Sequence, residues 1–145
     1  MTVLETAERI AREAHAGQKE TLTGDDYIRH IERVVAMVDG EDAKLVAWLH
    51  DVVEDNPAWT FDRLAAAGVP ARLIRPITLL TRRPPFSYVD YVETIATSGD
   101  PLAVAVKIAD LHDHLRPNCP ISLRLRYEKA LARLAGGGTA AIPGV

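Results

Sequence analysis

Apolar residues recur at the spacing of an α-helix through almost the whole chain, and this periodicity restricts the fold more than any other feature. The first segment shows it on one face, at Val3, Ala7, Ile10 and Ala14. No segment shows the convincing alternation of apolar and polar residues that is typical of a β-strand. The sequence therefore predicts an all-α protein, folded as a compact single-domain helical bundle.

Polar caps, glycines and prolines divide this pattern into separate helices. Ser87 and the Asp100–Pro101 pair are typical helix starts, and Gly40 and Gly68 are typical helix ends. We expect helices over residues 3–15, 27–38, about 42–55, 60–68, 69–81, 88–96, 101–115 and 123–134. Pro76 is expected to kink or break one of them. The helix over 101–115 is apolar nearly all round until its last turn, so we expect it to be central.

The bulk composition excludes several classes of protein. A length of 145 residues suits one domain, and the single cysteine, Cys119, excludes an internal disulfide. The net charge of −3 argues against a protein that coats nucleic acid, because such proteins usually carry a basic excess. No apolar run approaches the length of a membrane span.

We expect one domain over residues 1–135, followed by a flexible Gly-rich tail at 136–145. The N-terminal segment lacks a signal-peptide pattern, since charged side chains recur every few positions. A cytoplasmic protein is therefore the expectation, with no nucleic acid and no membrane among its partners. The sequence leaves a homo-oligomer open.

The stretch LHDVVEDN at 49–56 places one imidazole and three carboxylates within two predicted helical turns: His50, Asp51, Glu54 and Asp55. Spacings of three and four residues put them on one side of the predicted helix. Carboxylates this close repel one another unless protons or a cation neutralise them. An exposed acidic helix end is one interpretation. A divalent metal ion is the other, because His and Asp are common ligands for such ions.

Two further residues favour the metal site. Asp110 lies in the apolar segment AVAVKIADL, where an unpaired carboxylate would be costly to bury, so it needs Lys107 or a cation as its partner. His30 lies in an apolar-rich helix, where a lone histidine is most often a packed core residue. Together with the patch at 49–56, these residues predict a metal held between three helices, with coordination positions left for water and substrate.

Five stretches, in this order, resemble the hydrolase domain of the stringent-response alarmone enzymes and the small alarmone hydrolases. These proteins are HD-domain metal phosphohydrolases. The matching stretches are AHAGQ at 14–18, YIRH at 27–30, LVAWLHDVVEDN at 45–56, LLTRR at 79–83 and VKIADL at 106–111. They cover most of residues 10–116, and the resemblance implies a helical domain of the HD type.

The resemblance implies one divalent metal ion, typically manganese, with four ligands: His30, His50, Asp51 and Asp110. Glu54 and Asp55 match the catalytic acidic pair that positions or activates the attacking water. The division of labour between these two carboxylates stays open. The substrate that the resemblance implies is (p)ppGpp, a small phosphorylated nucleotide, which loses its 3′-pyrophosphate.

Six residues are candidates for binding that substrate: Lys19, Tyr27, Arg82, Arg83, Lys107 and His114. Each has a second interpretation. Tyr27 could stack on a base or pack in the core, and the two arginines could clamp a phosphate or face solvent. Lys107 could neutralise a phosphate or pair with Asp110. Lys19 is the only basic residue of the loop at 17–26, where the family usually carries an Arg-Lys pair.

Other polar residues receive simpler interpretations. His15 is expected to brace the loop that follows it. The polar group His112, Asp113 and His114 is favoured as a solvated helix end over a second metal site. The arginines near the C-terminus are expected to form a solvated helix face: Arg124, Arg126 and Arg133.

Three functions remain in competition at this point. The first is a metal-dependent hydrolase of (p)ppGpp or a related nucleotide. The second is an HD-type nucleotidase or a hydrolase of another phosphorylated nucleotide. The third is a non-catalytic nucleotide-binding module, which the intact set of metal ligands and carboxylates disfavours.

Overall fold

The computed structural model describes residues 1–136, which form nine α-helices and no β-strand. The helices are α1 Val3–Ala14, α2 Ile28–Met37, α3 Glu41–Leu49, α4 Val52–Asp55, α5 Phe61–Ala66, α6 Ala71–Leu80, α7 Tyr88–Ala96, α8 Pro101–His114 and α9 Ile121–Ala135. The all-α class predicted from the sequence is confirmed. Apart from Gly136, the predicted tail at 136–145 lies outside the described residues.

Side-chain caps start the helices where the sequence predicts them. Thr2 forms a capping box with Glu5 at the start of α1. The Ser87 side chain accepts a hydrogen bond from the backbone N–H of Asp90 at the start of α7. Asp100 caps α8 in the same way, directly before Pro101. These local bonds satisfy backbone groups that the first helical turn leaves unpaired.

Helix α8 lies at the centre of the bundle, where it packs against α2, α3, α6, α7 and α9. Val106 and Leu111 on this helix are fully buried. The same helix also buries three charged residues: Lys107, Asp110 and Asp113. The predicted central position of α8 is therefore confirmed, and the polar groups of its C-terminal half have to find partners inside the protein.

The predicted helix over about 42–55 is wrong in its continuity, because it is interrupted at His50 and Asp51, although both residues keep backbone angles in the αR region. The first part ends as α3 at Leu49, and α4 begins at Val52. Adjacent residues on a continuous helix point about 100° apart. The break instead lets the His50 Nε2 and Asp51 Oδ2 atoms approach to 3.2 Å. The interruption between α3 and α4 thus lies where two neighbouring side chains converge.

Pro76 does not break α6, in contrast to one of the two predicted outcomes. It lies buried inside the helix, which continues to Leu80. Among residues 1–136, no helix has the length and apolar character needed to cross a lipid bilayer.

Candidate metal centre and its cleft

Three separate parts of the bundle bring the four predicted ligands together. His30 comes from α2, the His50–Asp51 pair comes from the break between α3 and α4, and Asp110 comes from α8. Asp110 Oδ1 lies 2.9 Å from His30 Nε2 and 3.3 Å from His50 Nε2. One potential ligand atom from each of the four residues lies within 4.8 Å of the other three. The four predicted ligands are therefore close enough in space to share one ion.

The donor set fits a divalent cation. His50 Nδ1 lies 2.7 Å from the carbonyl oxygen of Ala47, so this nitrogen carries the proton whenever the ring is neutral. Its Nε2 lone pair then faces the carboxylate oxygens of Asp51 and Asp110 at 3.2 and 3.3 Å. Groups that only accept hydrogen bonds repel one another at this distance unless a proton or a cation lies among them. Two imidazoles and two carboxylates are suitable ligands for manganese, iron or zinc.

The raised pKa values of the two imidazoles indicate that the cluster favours a positive charge. Burial alone would lower the pKa of His30, but hydrogen bonds to Asp110 and Asp113 raise it to about 9. Burial likewise opposes protonation of His50, yet the neighbouring Asp51 and Asp110 raise its pKa well above the usual value. Without a metal, the carboxylates therefore favour protonation of both imidazoles.

Asp113 orients His30 from behind the cluster. Its Oδ2 lies 2.6 Å from His30 Nδ1, and its carboxylate also accepts two hydrogen bonds from Arg33, from Nε at 2.6 Å and from Nη2 at 3.0 Å. These contacts lower the pKa of Asp113 to about 2 although burial opposes ionisation. Asp113 is buried, so its interpretation as part of a solvated helix end is wrong. An imidazole held in this way directs Nε2 towards the other ligands.

We expect the substitution Asp113→Ala to weaken divalent-cation binding about 10- to 100-fold, the range typical of partners that orient a ligating histidine. Isothermal titration calorimetry with Mn²⁺ measures this affinity. Asp42→Ala is a matched control, because it also removes an aspartate that pairs with an arginine, Arg72, but on the exposed surface. Equal affinities of both variants and the wild type would rule out the orienting role of Asp113.

Glu54 and Asp55 stand side by side on α4, and each carboxylate is fixed by one hydrogen bond. Glu54 Oε1 accepts from the backbone N–H of Arg82 at 2.7 Å. Asp55 Oδ2 accepts from the side-chain amide of Gln18 at 3.0 Å. Both side chains reach solvent at the mouth of a cleft, but the surrounding protein partly desolvates their carboxyl groups. This burial, together with the charge of Asp51, raises the pKa of Glu54 to about 7 and that of Asp55 above its usual value.

The cleft beside the cluster has a volume of about 160 Å³. Its lining consists of Tyr27, Asp51, Glu54, Asp55, Arg82, Tyr88, Tyr91, Lys107, Asp110, His114 and Tyr127. All four tyrosines of the chain are among these residues. One side of the cleft is thus acidic, and the other side combines cationic and aromatic groups.

Four of the six predicted substrate residues line this cleft. Tyr27 donates a hydrogen bond to Asp51 Oδ2 at 2.5 Å, so it contacts a candidate ligand directly. Lys107 Nζ lies 2.8 Å from Asp110 Oδ2, the ion pair that the sequence offered as an alternative. The His114 ring stacks on His30, with 4.7 Å between the ring centroids. Arg82 lies over the ring of Tyr88 at 5.5 Å.

The other two lie outside the cleft lining. Lys19 forms an ion pair with Asp26, and both residues are exposed. The Arg83 guanidinium lies over the ring of Phe61 at 4.9 Å.

Sequence reasoning missed several residues of the cleft. Tyr88, Tyr91 and Tyr127 were not predicted, although they line the cleft. Arg126, interpreted as part of a solvated face, is exposed and lies outside the cleft lining, and its guanidinium is 4.0 Å from the ring centre of Tyr88. The two tyrosines of α7 are three residues apart and lie on the same side of the helix, with 5.8 Å between their ring centroids. The packing of α7 and α9 against α8 brings Tyr127 beside them. The position of Asp113 one turn after Asp110 on the same predicted helix could have indicated that it lies near the candidate metal site.

The fold is similar to that of a metazoan ortholog of SpoT, described as hydrolysing ppGpp and playing a role in starvation responses. The TM-score is 0.77 at 19% sequence identity, and the alignment covers 94% of this chain and 88% of the other. No protein-family model matches the chain, and no curated protein matches it. The helical fold expected from the sequence is thus confirmed by a solved structure.

Proposed function

We propose that the protein is a metal-dependent phosphohydrolase of the HD type that removes the 3′-pyrophosphate from (p)ppGpp or a related nucleotide. One observation carries this proposal: His30, His50, Asp51 and Asp110 converge from three parts of the fold on one point beside a cleft. The fold of a ppGpp-hydrolysing protein at a TM-score of 0.77 supports the same substrate class.

The four residues would hold one divalent ion, and manganese is the ion that the family resemblance favours. Bound there, it would polarise a phosphate oxygen and lower the pKa of water. Lys107 keeps Asp110 ionised through their 2.8 Å contact, and Tyr27 donates to Asp51. Both contacts leave the carboxylates as anions, the form that binds a metal ion.

Glu54 is the proposed proton acceptor for the attacking water. With a pKa of about 7, its carboxyl group exchanges a proton near neutral pH, which is the condition for efficient general acid–base catalysis. The bond from the Arg82 N–H engages Oε1, and Oε2 accepts no hydrogen bond from residues 1–136. That oxygen is available for a water in the cleft.

The opposite wall suits the phosphates and the nucleoside. Among residues 1–136, the side chain of Arg82, which lines the cleft, forms no ion pair with a carboxylate, so it is available to an anion. The aromatic rings of Tyr88 and Tyr127 also border the cleft. A volume of about 160 Å³ is below the roughly 300–1,000 Å³ of pockets that enclose a whole drug-sized ligand. The cleft would thus enclose the reacting phosphates and leave the nucleoside nearer to solvent.

One observation favours a second candidate, an HD-type nucleotidase or a hydrolase of another phosphorylated nucleotide. Lys19, the only basic residue of its loop, is engaged with Asp26 and does not line the cleft. The nucleotide would therefore lack the Arg-Lys contact that the family usually provides. In either case we place the enzyme in the cytoplasm, and the (p)ppGpp activity would place it in the stringent response.

A substrate screen distinguishes these candidates. Protein loaded with Mn²⁺ would be incubated with ppGpp, pppGpp, nucleoside monophosphates and 3′-phosphorylated nucleotides, and the products separated by ion-exchange chromatography. We expect pyrophosphate from ppGpp, with no turnover by the His50→Ala variant or in the presence of a chelator. Orthophosphate release without turnover of ppGpp would favour the second candidate. No turnover of any nucleotide would contradict both.

A further inference from the structure

A chain of side-chain hydrogen bonds leads from the end of α1 to the carboxylate of Asp55. His15 Nδ1 lies 2.7 Å from Gln18 Oε1, and Gln18 Nε2 donates to Asp55 Oδ2 at 3.0 Å. Only 2% of the His15 surface is exposed. His15 and Gln18 thus connect Asp55, a candidate catalytic residue, to the protein interior outside the cleft lining.

The positions of the hydrogens follow from the partners. An ionised carboxylate only accepts hydrogen bonds, so the amide nitrogen of Gln18 faces Asp55 and its oxygen faces His15. His15 Nδ1 must then carry a proton. The other ring nitrogen, Nε2, is buried without a hydrogen-bond partner among residues 1–136. The geometry therefore predicts one tautomer of His15, with the proton on Nδ1.

The backbone around Gln18 holds this arrangement in place. Gly17 has a φ of 81°, a left-handed conformation that glycine adopts readily, and it turns the chain back after α1. The Gln18 N–H donates to the His15 carbonyl at 3.0 Å, and the Gln18 carbonyl accepts from the Tyr27 N–H at 2.8 Å. Both backbone groups of Gln18 are thus engaged, so its side chain is presented from a fixed position.

We propose that His15 is a positioning residue that acts through Gln18 to hold the Asp55 carboxylate in its working orientation. This inference rests on the proposed hydrolase function. Asp55 is exposed at the mouth of the cleft, where an unrestrained carboxylate would rotate among several orientations. The bond from Gln18 fixes Oδ2, while Oδ1 accepts no hydrogen bond from residues 1–136. That free oxygen is then directed to water or substrate.

A pair of substitutions at one position tests the role of the donor. In His15→Asn the side-chain amide nitrogen takes the place of Nδ1 and can still donate to Gln18, whereas His15→Leu cannot. We expect His15→Leu to lower kcat for Mn²⁺-dependent ppGpp hydrolysis about 10- to 100-fold with unchanged KM. His15→Asn should recover most of this loss. Gln18→Met should behave like His15→Leu, because it removes both hydrogen bonds at similar volume.

A structural control separates positioning from simple loss of stability. Lys44→Met removes two hydrogen bonds, from Lys44 Nζ to the carbonyls of Val35 and Val38, far from the cleft. It should lower the melting temperature without lowering kcat. If His15→Leu and His15→Asn lose kcat equally, or if each loss only follows the melting temperature, the positioning role is wrong.

The tautomer gives a readout that does not depend on activity. In ¹⁵N-labelled protein, two-dimensional NMR of the imidazole nitrogens distinguishes Nδ1–H from Nε2–H, and the His15→Asn spectrum assigns the signals. We expect Nδ1–H in the wild type and a loss of this preference in Gln18→Met. An Nε2–H His15 would overturn the inference. If no nucleotide is hydrolysed, the proposed function fails, and the NMR result alone then decides whether the chain of hydrogen bonds exists.

Discussion

The substitution Asp110→Ala is expected to lower the free energy of unfolding by about 3–5 kcal/mol and to abolish divalent-cation binding. Lys107 is 7% exposed, and its ammonium group lies 2.8 Å from Asp110 Oδ2. Removal of the carboxylate leaves this cation buried without its partner, and it also removes an oxygen shared by His30 and His50. Urea unfolding of the metal-free protein measures the first effect, and calorimetric titration with Mn²⁺ measures the second.

The double variant Asp110→Ala/Lys107→Met separates the two effects. Replacement of both members of a buried ion pair by apolar side chains is often close to neutral in stability, so the double variant should regain most of the lost free energy of unfolding. It should not regain metal binding, because the ligand is still missing. Wild-type stability of Asp110→Ala alone would contradict the structural role of the pair.

The substitution Glu54→Gln is expected to lower kcat about 10²- to 10⁴-fold, the range typical of a general acid or base. Glutamine keeps the oxygen that accepts from the Arg82 N–H, so the side chain should stay in place. Metal affinity should be unchanged, because Glu54 is not among the four candidate ligands. Steady-state kinetics and a Mn²⁺ titration on the same preparation measure both quantities.

The pH profile gives a second test of Glu54. A base must be deprotonated to accept a proton, so kcat should fall as the pH decreases through the pKa of Glu54. That pKa is about 7 in the metal-free protein, where Asp51 contributes to the rise. A cation at Asp51 would reduce this contribution, so the decrease in kcat should begin at or below pH 7. If the Glu54→Gln variant keeps the wild-type kcat and the same decrease in kcat at acidic pH, another group accepts the proton.

Much of the fold follows from signals that are local in the sequence. Capping residues such as Thr2, Ser87 and Asp100 start helices at the predicted positions, because each satisfies backbone N–H groups within its own first turn. The apolar character of α8 predicts its central position for a similar reason: a helix without a polar face has to be surrounded.

The details that were not predicted depend on contacts between distant residues. The break at His50–Asp51 lies where the His50 side chain contacts Asp110, 60 positions away, and helical periodicity gives no indication of this contact. The pairing of His30 with Asp113 spans 83 positions. The grouping of Tyr88, Tyr91 and Tyr127 beside the cleft likewise depends on how α7 and α9 pack against α8. Periodicity indicates which face is buried, but not which side chains from other helices lie opposite it.

The most direct test of the metal centre is a titration of the metal-free protein with Mn²⁺ near pH 7, performed in two buffers of different ionisation enthalpy. We expect one ion per chain and a release of protons, because the raised pKa values of His30 and His50 favour protonated rings in the metal-free protein, whereas a ligating imidazole is neutral. His30→Ala and His50→Ala should each abolish this binding. Absence of binding, or the same binding in both variants as in the wild type, would contradict a metal site formed by these four residues.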